Sequence, residues 1–311
     1  MNPRAALAVS KDTLELWTSR RAFQHAGALA FFTLFSMAPL LIILIAVAGA
    51  VLGERAVRGE ITEQISEYIG PQAADAVSDA IEQSSTRRSG LLPAILGIAA
   101  LVLGATTVFG QMQASLNQFW GVRAKPSQSG LRVFLRTRLV SLGLVMILGF
   151  LLLVSFALTV AVGAVIRYAQ EWVPIPPVAV AAINLGLSLF IATLLFAVIY
   201  KVLPDVRLEW RDMWRGALVT GVLFVTGQFL ISWYLTRAAP ASTYGAAGSL
   251  VLVLLWVYYS ALILFLGAAF TRAYIRQRGD HIDPKPTAVK VRTEVLEEDA
   301  QGHQTHVAAQ D

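Results

Sequence analysis

Apolar residues run along the chain in six long blocks, at 26–52, 91–122, 139–166, 172–200, 216–236 and 238–270, none containing Asp, Glu, Lys or Arg. Each exceeds the roughly 20 residues needed to cross a hydrocarbon core of about 30 Å. The pattern predicts an all-α polytopic membrane protein with six transmembrane helices. Breakers trim the blocks. Pro174, Pro176 and Pro177 move the start of the fourth helix to about Val178, and Pro240 moves the sixth towards Tyr244. Ser89 is placed to cap the second, with Pro93 in its first turn.

The polar intervals differ in kind. Residues 1–25 carry Leu7, Leu14 and Trp17 on a short helix of interfacial character that ends at Arg20 and Arg21. In 53–90, Ile61, Ile65, Tyr68 and Ile69 recur at helical spacing, break at Gly70-Pro71 and resume as Ala73, Val77, Ala80 and Ile81. That predicts a helical hairpin on one face of the membrane. From 277 to 311 the sequence is polar and without apolar periodicity, which predicts a disordered tail. The expected organisation is therefore an interfacial helix (1–25), a six-helix domain (26–276) with the hairpin at 53–90, and the tail.

Composition agrees with this pattern. The chain is 56% hydrophobic and 14% charged, with mean hydropathy +0.62, which excludes an ordinary soluble enzyme. Its charge is +5, from 25 Lys+Arg against 20 Asp+Glu. Nineteen of the basic residues fall in 1–25, 123–138, 201–215 and 272–311, against six elsewhere. By the positive-inside rule both termini are expected in the cytoplasm and the hairpin outside. The basic excess then reflects topology and anionic headgroups, with membrane lipids as partners and no nucleic acid. Cysteine is absent, which removes disulfides and thiolate metal sites.

Charge-free spans argue against proton or ion coupling through intramembrane carboxylates. The uncharged polar positions are the candidates for function: Ser36, Pro39, Gln111, Asn117, Asn184, Ser188, Gln228, Tyr244, Gly245, Gly248, Ser249, Trp256 and Tyr259. They read either as interhelical hydrogen-bonding groups or as the lining of a polar groove for substrate. At the inner face His25, Arg123, Lys201, Arg207, Arg211 and Arg215 are candidate headgroup contacts. Three of the four histidines (His281, His303, His306) lie in the tail, so no metal site is expected. Neither a nucleotide-binding glycine loop nor a catalytic triad is present, and no cofactor is expected.

Four blocks carry a resemblance. They are Ala26-Gly-Ala-Leu-Ala-Phe-Phe-Thr-Leu-Phe-Ser-Met-Ala-Pro39-Leu-Leu, Leu116-Asn-Gln-Phe-Trp120-Gly-Val, Tyr200-Lys-Val-Leu-Pro204-Asp-Val running on through Trp210-Arg-Asp212 to Gly216-Ala, and Tyr244-Gly-Ala-Ala-Gly248-Ser-Leu with Leu255-Trp256-Val-Tyr258-Tyr and Leu266-Gly267-Ala. In this order they span nearly all of 20–275 and resemble the YihY/virulence factor BrkB family of bacterial inner-membrane proteins, once labelled ribonuclease BN. A tyrosine usual in the first block is replaced here by Phe31 or Phe32. The resemblance implies a six-span inner-membrane protein associated with serum resistance and with movement of envelope lipids or solutes. Three functions stay open: moving a lipid-linked or amphipathic envelope component, scaffolding envelope assembly beside a second copy or another envelope protein, and membrane-bound hydrolysis. The last lacks the clustered carboxylates or histidines that metal-dependent RNA cleavage needs.

Overall fold

The computed structural model describes residues 3–36, 107–125, 130–173, 175–238, 246–291, 295–298 and 304–307, with isolated helical positions between 59 and 79. Seven helices are followed in these residues: α1 (Pro3–Ser19), α2 (22–36), α3 (107–120), α4 (Gly130–Gln170), α5 (Pro177–Val202), α6 (Trp210–Ala238) and α7 (Ala246–Gln277). Short strands join them: β1 (Val122–Ala124), β2 (Val206–Arg207), β3 (Asp283–Pro284), β4 (Ala288–Lys290), β5 (Val295–Glu298) and β6 (Gln304–Val307).

Four of the expected spans are long and apolar enough to cross a membrane, at Leu135–Gln170, Pro177–Val202, Trp210–Ile231 and Val251–Gln277. The first and second expected spans are represented by α2 and α3, and the remainder of both lies outside the described residues, as do Pro39, Tyr244, Gly245 and nearly all of the 53–90 hairpin. α5 starts at Pro177, where a proline at the first helical position sacrifices no hydrogen bond. α4 is apolar around most of its circumference, and Leu139, Phe150 and Val165 among others are exposed. A helix of that kind is stable against hydrocarbon and not against water.

The core sits where α2, α3, α5, α6 and α7 converge at one end, called here the polar end because the charged loops gather there. Leu116, Phe119, Tyr200, Leu203, Met213 and Phe265 are fully buried in it. Phe119 and Phe265 stack at 5.0 Å between ring centroids. α6 and α7 meet through a reciprocal contact. Thr220 Oγ1 donates to Gly216 O at 2.7 Å on α6, and Thr271 Oγ1 donates to Gly267 O at 2.7 Å on α7. Each threonine hydroxyl occupies the place a Cβ would need on the other helix's glycine. Farther along α6 the Tyr259 hydroxyl fills the same position at Gly227 and donates to Leu223 O.

α1 packs along α7 through buried Val9, Thr13 and Leu16, and Trp17 Nε1 donates to Leu262 O at 3.1 Å, while Leu7 and Leu14 stay exposed. The chain then breaks at Arg21, whose φ of 54° ends α1 before α2 begins. The fold is mostly helical, and among the described residues it carries three two-stranded pairings in addition. Within the stretch expected to be disordered from 277 onward, residues 278–291 instead turn after α7 and fold back on the polar end. β4 pairs antiparallel with β1, Arg123 opposite Val289, and β3 pairs with β2, Arg207 opposite Asp283. β5 pairs with β6 to form a separate hairpin. Low apolar content does not prevent order here, because the loops at the polar end present unpaired backbone groups that this segment satisfies.

Candidate functional site

Asp205, in the loop between α5 and α6, gathers partners from several elements. The helix ends as Leu203-Pro204, and the chain there turns inward so that Asp205 is only 6% exposed. A buried carboxylate needs partners; α3 and α4 supply them, and a third segment holds the Asp205 backbone. Asn117 Nδ2 on α3 donates to Asp205 Oδ2 at 3.0 Å, while Asp205 N returns a bond to Asn117 Oδ1 at 2.7 Å. Arg136 on α4 donates to Oδ1 at 3.2 Å. Lys285, between β3 and β4, donates its backbone N–H to Asp205 O at 2.8 Å.

The Lys285 ammonium closes the end of α5. It donates to Pro204 O at 2.6 Å and Val202 O at 3.2 Å, carbonyls left open by the helix terminus. Burial holds this ammonium below the ordinary lysine value; Asp205 draws it back up, and Arg136 and Lys201 push it further down. On the α3 side Gly121 turns the chain into β1 with φ 67°, a left-handed conformation natural to glycine at a helix end. A side chain there would press on the Arg272 guanidinium, which donates to Phe119 O at 2.5 Å. Beyond Lys285, Val291 N donates to Gly121 O and Lys125 N to Thr287 O. The polar ends of α3, α4 and α5 are thus tied together by the segment that follows α7.

His25 and Tyr200 occupy the layer above. His25 Nδ1 lies 3.0 Å from Ser115 Oγ, and its ring packs edge-on to Phe119 and Phe265. Burial lowers the imidazole below its ordinary value, a hydrogen bond with Gln118 opposes this, and Arg21 adds to it. The Tyr200 hydroxyl donates to Leu264 O at 2.7 Å and lies 2.9 Å from Thr220 Oγ1, fixing α5 against the α6–α7 crossing.

Residues 13–292 match the family described as virulence factor BrkB. The chain belongs to the virulence factor BrkB family. Similar proteins include the UPF0761 membrane protein MS0032 of Mannheimia succiniciproducens, 26% identical over 87% of this chain and 91% of that protein. A Bacillus subtilis protein named as the ribonuclease-like protein YfkH is 25% identical over 89% of this chain and 98% of its own length. A UPF0761 membrane protein of Halorhodospira halophila is 29% identical over 80% of this chain, which spans 53% of that longer relative. No solved structure matches. The BrkB match ends at residue 292, just after β4 completes its pairing with β1.

Two of the BrkB-family blocks, 116–122 and 200–217, therefore build the polar end. Of the residues singled out from sequence, Asn117 joins the Asp205 cluster, and His25 packs on Phe119 and Phe265. Lys201 is engaged by protein, donating to Leu208 O at 2.6 Å with its ammonium 5.3 Å from the Trp210 ring centroid. Arg215 lies over the Tyr274 ring and donates to its hydroxyl. Arg123, Arg207 and Arg211 are exposed. Ser36 is buried near the end of described α2, and Gln111 donates to Ser115 at 3.5 Å. Trp256 packs on Phe224 at 5.5 Å, beside half-buried Tyr259. Gln228 is half-buried, and Asn184 and Ser188 are exposed one turn apart on α5. Gly248 and Ser249 lie in α7, with side chains outside the description.

Asp205, Arg136 and Lys285 were missed from sequence. For Asp205 a signal existed, as the acid directly after Leu203-Pro204 in a basic loop; for Lys285 there was none.

Proposed function

We propose that this membrane protein moves an amphipathic, anionic envelope component, such as a lipid or lipid-linked molecule, along a lateral polar path. The observation that carries this reading is the exposure of Asn184 and Ser188 on α5. Ser188 lies about 17 Å from the start of a membrane-length helix at about 1.5 Å per residue. A carboxamide and a hydroxyl presented at that depth to hydrocarbon alone cost free energy, and a passing polar headgroup would satisfy them. Exposed Arg123, Arg207 and Arg211 at the polar end, taken as the cytoplasmic end of a bacterial inner-membrane protein, would gather the anionic group. Each basic residue near the surface contributes about 1 kcal/mol towards an anionic leaflet.

Reconstitution tests this. Purified full-length protein in phosphatidylcholine vesicles is expected to accelerate transbilayer exchange of a fluorescent phosphatidylglycerol above that of protein-free vesicles. The variant Asn184→Leu/Ser188→Leu is expected to fold and to lose the acceleration. An unaccelerated wild type, or full activity in the variant, overturns the proposal.

A further inference from the structure

We infer that the exposed face of α6 at the polar end is a binding site for one anionic phospholipid of the adjoining leaflet. This deepens the reading above by naming the resident ligand, but binding here requires no transport.

The face changes character along the helix. In the first two turns Arg211 and Arg215 lie one turn apart, and beside them Trp210 and Trp214 are 52% and 37% exposed. Below them the exposed residues are Leu218, Val222, Phe229 and Leu230, with the small hydroxyl of Thr226 among them. Arg211 to Val222 covers about 16 Å at about 1.5 Å per residue, close to the hydrocarbon depth of one leaflet, half of about 30 Å. The order of groups is that of a phospholipid: cations for a phosphate, indoles at the headgroup boundary where amphipathic rings reside, then an apolar track for an acyl chain.

Two features make this more than an aromatic belt. Asp212, the acid of the same turn, is buried and paired with Arg278 at 3.0 Å, so it is withdrawn from the exposed cations; Glu209 is the neighbouring acid that stays exposed. Arg215 and the neighbouring Lys201 are also held in place. The Arg215 guanidinium stacks over Tyr274 at 4.8 Å from its centroid, and Lys201 sits over Trp210 with its ammonium anchored on Leu208 O. A planar, fixed guanidinium is suited to phosphate oxygens. Arg207, exposed in the preceding strand, adds charge at the same end.

Tryptophan quenching reads the site directly. The full chain is placed in phosphatidylcholine nanodiscs with an equal mole fraction of either brominated phosphatidylglycerol or brominated phosphatidylcholine. The emission component that disappears in Trp210→Phe/Trp214→Phe is expected to be quenched several-fold more by the brominated anionic lipid. Arg211→Gln/Arg215→Gln is expected to equalise the two lipids, and Arg211→Lys/Arg215→Lys to retain part of the preference. Should the double glutamine variant not fold, Arg211→Gln alone is expected to reduce the preference. Excess inorganic phosphate is expected to leave the preference unchanged. Equal quenching in the wild type, a preference that survives the glutamine substitutions, or its abolition by free phosphate overturns the site. Selective quenching in a protein that moves no lipid keeps the site and refutes transport alone.

Discussion

Gly267→Ala tests the α6–α7 crossing most severely. The added Cβ falls on the Thr220 and Tyr200 hydroxyls and lies 3.1 Å from Thr220 Cβ, so no rotamer of threonine relieves the conflict without moving a helix. Overpacking a core in this way costs about 1–3 kcal/mol. Moving the helices apart also disturbs Tyr200 O–H to Leu264 O and the Tyr200–Thr220 contact, 2.7 and 2.9 Å in the native protein. Each such bond is worth about 1 kcal/mol, bringing the expected loss to about 3–5 kcal/mol. By the scaling for domains of 150–250 residues, that lowers the melting temperature on the order of 10 °C, read by thermal unfolding in detergent. Gly186→Ala is the control. No atom lies within 4 Å of the Cβ it adds to α5, so it is expected to be neutral or stabilising by up to about 1 kcal/mol. Thr220→Ala removes the struck hydroxyl, so a double-mutant cycle with Gly267→Ala is expected to show coupling of at least about 1 kcal/mol. A Gly267→Ala protein within about 1 kcal/mol of wild type, or strict additivity with Thr220→Ala, would refute the crossing geometry.

Other expectations concern the polar end. Ala124 and Ala288 face each other between the hydrogen-bonded pairs of β1 and β4, so Ala124→Cys/Ala288→Cys is expected to form a disulfide on oxidation, seen as protection from maleimide until reduction. The native chain has no cysteine to interfere, and Ala124→Cys/Val289→Cys should stay reactive. Lys285→Met is expected to cost about 1–3 kcal/mol by leaving the α5 carbonyls unsatisfied, with faster amide exchange at 121–125 and 205–207; unchanged exchange would show that the lysine does not hold the strands. Asp205→Ala is expected to cost about 2–3 kcal/mol, discounted for the partly exposed Arg136, and a stability equal to wild type would deny the cluster its tethering role. His25, with a folded value below 6.5, binds fewer protons folded than unfolded. Its contribution is complete above pH 6.5 and declines as pH falls from there towards the lower folded value, so His25→Gln should flatten stability over that window. An identical pH profile for the two proteins would contradict the burial of this ring.

Helices and charge were legible because both are local. Hydropathy over about 20 residues is a property of a segment, and the start of α5 follows from Pro177, whereas α6 begins at Trp210, ahead of the apolar block 216–236 that predicted it. The resemblance blocks were legible too, but their purpose was not. Asn117 read as one of several polar groups on the second span, although its partner Asp205 is 88 residues away. The close approach of α6 and α7 was not legible either. The contact observed uses Gly216 and Gly267, which are 51 positions apart and carry the same glycine-to-threonine spacing.

The sequence by itself determined a membrane protein built of long apolar helices, with its basic residues concentrated in particular loops, since these depend only on which residues are neighbours in the chain. The tertiary structure decided that residues 283–291 are ordered, that a lysine in a polar stretch caps a helix, and that Asp205 is a junction instead of a loop acid. Strands of two or three residues have no pattern of their own. They form only where helix ends come together and leave backbone groups in need of partners, a condition set by packing across the whole chain.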